Sequence, residues 1–202
     1  MYESTAGEAL RYHKQEKLRD GSAILIRAIR PDDRERLLRH FNSLSEESRY
    51  FRFFGLKRSL SGSELDHFTH LDFVNHVALA GAVHEGGEEK FLGIGRYIVQ
   101  ESAKEKPARA EVAFAVLDEY QGRGIGTLLL EHLAAIARER GIREFTATVM
   151  GANSRMLEVF EKSGFAVRES SEPGVINVAF PIETTGRFMA AHAHRESGEN
   201  GK

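Results

Sequence analysis

The stretch that most constrains this chain is Gln121-Gly122-Arg123-Gly124-Ile125-Gly126-Thr127. It lies between an apolar strand-like run, Val112 to Leu117, and a long helix-like run, Leu128 to Arg140. Glycine takes positive φ at little cost and lets backbone approach a ligand closely. A helix that begins here leaves its first amide N–H groups without internal partners. Those groups and the helix dipole favour an anion. Arg123 adds a full positive charge at the same spot. The pattern reads as a pyrophosphate cradle built from the backbone of Gly122, Arg123, Gly124, Ile125, Gly126 and Thr127. A turn that only starts a helix needs neither the alternating glycines nor the arginine. Other phosphate loops fit less well: a dinucleotide fingerprint needs Gly-x-Gly-x-x-Gly, and a Walker loop needs a lysine after its last glycine.

Length and composition narrow the classes. A chain of 202 residues suits one domain with tails, here an arm over residues 1–20, a domain over 21–182 and a flexible tail over 183–202. A net charge of -2 argues against nucleic-acid binding, which brings a basic excess. There are no cysteines, which excludes disulfides, thiolate metal ligands and a cysteine nucleophile and fits a reducing compartment. No apolar run reaches membrane-spanning length, and the first residues lack a signal pattern. The expectation is a cytoplasmic protein without membrane contact.

Residues 1 to about 20 are polar and read as an arm or short helix. Ala23 to Ile29 alternates as a strand. Pro31, with Asp32 and Asp33 behind it, opens a helix with an apolar stripe of Leu37, Leu38 and Phe41. Ser45 caps a second helix running into Tyr50, Phe51, Phe53 and Phe54. Arg49 and Arg52 are interleaved with these aromatics, and the stretch is taken as an apolar helix face with charged flanks. Ser61-Gly62-Ser63-Glu64 is a capping box for a third helix, Gly62 to His70. Val74 to His84 and Lys90 to Gln100 form a hairpin. After a polar loop at Ser102 to Pro107, Ala110 to Leu117 leads into the glycine loop. The helix beyond it stops at Gly141. Arg143 to Met150 is a strand, Asn153 caps a helix stopped by Gly164, and Phe165 to Glu169 and Val175 to Ile182 are the last strands.

The run from Val112 through Gly126 resembles the acetyl-coenzyme A motif of the GNAT N-acetyltransferase superfamily, Gln/Arg-x-x-Gly-x-Gly/Ala, here Gln121, Gly124 and Gly126. The later Asn153…Phe160-Glu161-Lys162-Ser163-Gly164-Phe165 is similar to that superfamily's last helix and following strand. The fold implied is mixed α/β, a mostly antiparallel sheet flanked by helices and splayed at its centre to admit the pantetheine arm. Across residues 18 to 182, "DGSAILIRAIRPDD", "LSEESRYFRFF" and "AEVAFAVLDEYQGRGIGTLLLEHL" resemble the acetyltransferase domain of Pat-type bacterial protein lysine acetyltransferases. That resemblance implies acetyl-coenzyme A as co-substrate, a protein lysine as acceptor and AMP-forming acyl-coenzyme A synthetases as partners. The regulatory domains often fused to such proteins have no room in these 202 residues.

Acetyl transfer to lysine needs the neutral amine. With a free pKa near 10.4, deprotonation at pH 7 costs about 4 to 5 kcal/mol, and a positioned base supplies roughly 10²- to 10⁴-fold. Glu111 opens the strand feeding the loop. By alternation it shares a face with Ala113 and Ala115, small residues that leave space, and partial desolvation there would sharpen it as a base. On the residues alone, a base and a solvated strand-end charge stand level. The resemblance puts the family's catalytic glutamate at Glu111. It also carries over backbone pairing of Phe114, Ala115 and Val116 with the pantetheine amides. Asn153 is either a pantetheine contact or an N-cap. Phe160 stands where many relatives have a tyrosine that protonates the leaving thiolate. It cannot do so, which leaves that role vacant or filled by water, and it is expected to pack on the cofactor arm or the core. His67, His70 and His76 near Asp72, with His192 and His194, form no metal motif. Two other readings remain: a small-molecule amine acetyltransferase, and a non-catalytic acyl-coenzyme A sensor.

Overall fold

The computed structural model describes residues 11–100 and 108–186, with Met189 and Ala193 beyond them. The loop expected at Ser102 to Pro107 and the tail histidines His192 and His194 lie outside the described residues.

Among the described residues eight strands form one sheet in the order β1-β2-β3-β4-β5-β6-β8-β7. They are β1 His13–Lys17, β2 Ala23–Ala28, β3 His76–Glu85, β4 Glu88–Val99, β5 Ala108–Val116, β6 Ile142–Met150, β7 Arg168–Glu172 and β8 Val175–Pro181. Every neighbouring pair is antiparallel except β5 and β6. Among the described residues five helices flank the sheet: α1 Arg34–Ser43, α2 Glu46–Phe53, α3 Gly62–Thr69, α4 Ile125–Glu139 and α5 Ser154–Glu161.

Local chemistry sets the helix ends. The Ser45 side chain accepts from Ser48 N, and Ser61 and Glu64 close a reciprocal capping box. Gly141 follows α4 at φ +81°, the left-handed stop that glycine permits. The residues expected to be an arm or short helix instead supply β1, which pairs with β2 from His13↔Arg27 to Lys17↔Ala23. Its polar sequence suits an edge strand. β7 begins at Arg168, three residues later than expected, because Phe165 is drawn into the core and stacks on Phe180.

Two apolar layers sandwich the sheet. One joins α4 to the sheet through Leu129, Leu133, Val112 and Phe114. The other joins the α1 and α3 side through Leu37, Phe41, Leu65 and Ile94. β4 meets α4 at glycines: a Cβ on Gly93 would lie 2.7 Å from Ile125 Cγ2, and one on Gly95 would lie 2.8 Å from the Phe114 ring. This close approach seats the start of α4, and with it the glycine loop, on the centre of the sheet.

Candidate active site

β5 and β6 pair only at one end, from Ala108↔Ile142 to Glu111↔Thr146. Beyond Glu111 they part, while β5 stays paired with β4 as far as Val116↔Gly93. Leu117 N donates to Leu92 O. Antiparallel bonding alternates, so Ala115 and Ala113 also exchange their backbone bonds with β4. The amides and carbonyls of Phe114 and Val116 point to the opened side. The expected open backbone at Phe114, Ala115 and Val116 is therefore corrected at Ala115, whose polar groups are already paired. Val116 O is also taken, by Gln121 Nε2 at 3.0 Å.

The opening is part of a cleft of about 790 Å³, within the roughly 300–1,000 Å³ of small-molecule sites. At one end lies the glycine loop. Gly124 is the N-cap of α4 at φ +94°, a conformation that costs a side-chain-bearing residue strain. The first helical bond runs from Leu128 N to Gly124 O. The amides of Ile125, Gly126 and Thr127 therefore have no partner within the helix, although the side chains of Ile125 and Thr127 are buried. Gly126 is needed for a further reason: a Cβ there would sit 3.2 Å from Val159 of α5. These amides fit a pyrophosphate, and the open β5 edge fits an extended amide-bearing arm.

Gln121 ties the loop to its surroundings. Beyond its bond to Val116 O, its Nε2 reaches Ser48 Oγ at 3.3 Å and its Oε1 accepts from Arg155. Arg123, expected to face the anion, turns away. It contacts Asp20 and Glu119 O, lies over the Tyr120 ring and does not line the cleft. Arg19 takes the place at the cleft mouth. Its backbone N donates to Arg123 O and its Nη1 to Gly122 O. Nothing in the sequence pointed to it, because the β1–β2 turn meets the loop only through the fold.

Asn153 lines the cleft but caps α5, its Oδ1 accepting from Met156 N at 3.2 Å. Phe160 borders the cleft yet is 1% exposed. Its ring packs edge-on against Phe114 and tilted against Phe180, so of the two expected roles it takes the core one. The face of α2 is the larger correction. Every residue of α2 keeps some exposure, Phe53 packs on Phe41, and Phe51, Arg52 and Phe53 line the cleft. The aromatic–arginine interleaving was the available signal.

Glu111 stands where β5 and β6 part. It is exposed rather than desolvated, and it faces the cleft together with Ala113, Ala115 and Arg52. Burial pulls the Arg52 guanidinium down to about 10, and the Glu111 carboxylate works in the opposite direction. His76 is buried beside Arg96 and 5.0 Å, ring to ring, from His67, while His70 is exposed. Among the described residues no group of three or more His, Asp or Glu is placed to hold a metal ion, and no helix is long and apolar enough to cross a membrane.

A sheet splayed beside a glycine-loop helix N-terminus is the arrangement that the resemblance to coenzyme A-dependent acyltransferases implies. The sequence model of the acetyltransferase (GNAT) family matches residues 41–165, and the chain belongs to that family, which uses acetyl-coenzyme A as co-substrate. An acetyltransferase of Pseudomonas aeruginosa is 36% identical over 153 residues, 76% of this chain and 80% of that protein. The acetyltransferase Pat of Mycolicibacterium smegmatis is 29% identical over 160 residues, 79% of this chain but 46% of that longer protein. The crystal structure of the GNAT domain of S. lividans PAT superposes with a TM-score of 0.76 at 42% identity, covering 85% of this chain and 97% of that one.

Proposed function

We propose that this acetyltransferase modifies the side-chain amine of a protein lysine, with AMP-forming acyl-coenzyme A synthetases as the partner class, and that Glu111 is its general base. The observation that carries the base is the position of Glu111: a carboxylate exposed to the cleft where β5 and β6 separate, at the end of the open edge. The lysine acceptor is supported by the likeness to the GNAT domain of S. lividans PAT and by the Pat-type sequence resemblance. We place the reaction in the cytoplasm, which the cysteine-free composition suits.

In this reading the pyrophosphate rests on the amides from Gly122 to Thr127, and Phe114 and Val116 pair with the pantetheine arm as an added strand would. Glu111 takes a proton from the lysine ammonium, directly or through one water. The free amine attacks the thioester carbonyl. The attacking nitrogen gives up its second proton to water as the carbon–sulfur bond breaks and the amide forms, and the thiolate leaves. Phe160 has no proton to give, so water entering the cleft protonates the thiolate.

The test is thiol release from acetyl-coenzyme A with an acyl-coenzyme A synthetase as acceptor, followed alongside acetyl-lysine by mass spectrometry. Release matched by acetyl-lysine is expected. Release on small amines but on no protein would replace the acceptor assignment. Tight coenzyme binding with no turnover on any amine would replace the enzyme reading with a sensor.

A further inference from the structure

On the α2 side of the sheet, next to Glu111, lie two guanidinium groups. Arg96 of β4 is directly across from Ala113 of β5 and so shares its face. It is 6% exposed. Its guanidinium sits 4.1 Å above the Phe68 ring, and Nη1 donates to His76 Nε2 at 3.3 Å. Burial holds His76 at about 4, with Arg96 pushing the same way, so that imidazole is a neutral acceptor near pH 7. Arg52 of α2 lines the cleft and lies over the Phe53 ring. Neither arginine has a carboxylate within ion-pair distance among the described residues, whereas the buried Arg27 has both Asp33 and Glu89.

The arrangement is electrostatically incomplete. Burial and then repulsion from Arg52 pull Arg96 down to about 9, yet both groups stay cationic near neutrality. A buried cation without a counter-ion is costly, and Glu111, the carboxylate that acts on Arg52, is exposed. An anion arriving from the cleft would complete the set. Arg52 would make the contact, with a planar fork suited to a carboxylate, and Arg96 would supply the field behind it.

We propose that Arg52, backed by Arg96, is an anion subsite beside the reacting amine, and that the preferred acceptor carries a carboxylate close to its nitrogen. The inference rests on the amine-acetyltransferase reading and narrows its substrate: for a protein acceptor, an acidic residue next to the target lysine. A free amino acid would present the same chemistry through its own carboxylate.

The test is equilibrium binding to the protein loaded with coenzyme A, which cannot turn over. The probes are a short lysine peptide with Glu beside the lysine, its Gln counterpart, free Nα-acetyl-lysine and its amide. Each carboxylate probe should bind roughly tenfold tighter than its neutral partner, the fold-change of one charge-assisted hydrogen bond. That ratio should collapse toward one in Arg52→Gln and partly return in Arg52→Lys. Glu111 repels an anionic probe and not a neutral one, so the pairs are also compared in Glu111→Gln, where the ratio should persist if Arg52 is its source. Discrimination by the free amino acid alone would support the subsite and overturn the protein acceptor. Discrimination without acetylation, when acetyl-coenzyme A replaces coenzyme A, would support the subsite and overturn the enzymatic use of that acceptor. Equal affinity within each pair, or a ratio unchanged in Arg52→Gln, would overturn the subsite.

Discussion

The side-chain amide of Gln121 donates to the main-chain carbonyl of Val116 at 3.0 Å, so the glycine loop is bonded to the very edge along which the sheet opens. The same side chain reaches Ser48 on α2 and Arg155 on α5. It therefore holds the loop at the junction of the cleft's walls. In Gln121→Ala the helix itself keeps its bonds, and the loop loses its anchor. The expected outcome is a rise in KM for acetyl-coenzyme A of roughly fivefold, about one net hydrogen bond, with kcat within twofold. Steady-state kinetics with varied acetyl-coenzyme A checks this. A drop in kcat at constant KM would mean that Gln121 acts on the chemistry and not on the loop.

Gly93 makes a separate case for how the loop is seated. A Cβ there would fall 2.7 Å from Ile125 Cγ2 and 3.2 Å from Val116 Cγ2. Gly93→Ala must push the first turn of α4 off the sheet, and overpacking of this kind costs about 1–3 kcal/mol. The urea midpoint should fall, and affinity for coenzyme A, read by calorimetry on the folded variant, should weaken with it. Wild-type affinity in a destabilised protein would separate the packing from the cradle.

Much of this fold was legible in the sequence because apolar alternation and caps mark their own positions. Ile24, Ile26 and Ala28, the Ser45 and Ser61 caps, and the glycines after β5 all lie where their local chemistry implies. What failed has a common cause. β1 and β7 are edge strands whose side chains are largely exposed, so no period-2 burial signal is written into them. Arg19 and Arg123 exchange the expected role because the β1–β2 turn meets the glycine loop across 103 residues of sequence. The aromatics of α2 read as an apolar helix face with charged flanks; Phe53 does pack on Phe41, but Phe51 and Phe53 also wall the cleft. Composition cannot tell those two surroundings apart. Alternation placed the side chains of β5 correctly but did not say which backbone groups β4 had already taken.

Stability should depend on pH through two histidines. Burial is the main cause that holds His40 and His76 down at about 4, against an ordinary value of 6.5. For His40 the hydrogen bond to Phe91 O opposes burial without overcoming it. The folded state therefore stays neutral while the unfolded chain takes up protons below about 6.5, so unfolding binds protons in that window. This contribution is fully present above about 6.5 and is lost as pH falls toward 4. Depressed carboxylates such as Asp33 act lower still. Urea midpoints between pH 7 and 4.5 should decline, and the slope should be about halved in His40→Gln. An identical slope in that variant would show that His40 is not the source.

The central claim is that Glu111 deprotonates the amine. Its most direct test is the rate of thiol release at saturating acetyl-coenzyme A for the wild type and Glu111→Gln, a reaction to which a cysteine-free enzyme adds no thiol of its own. The account predicts a kcat lower by roughly 10²- to 10⁴-fold in the variant, with coenzyme A affinity and melting temperature unchanged. The gap should narrow as pH rises toward the pKa of the acceptor amine. A variant that turns over at the wild-type rate near pH 7 would contradict the account and leave Glu111 as a solvated charge at the end of a strand.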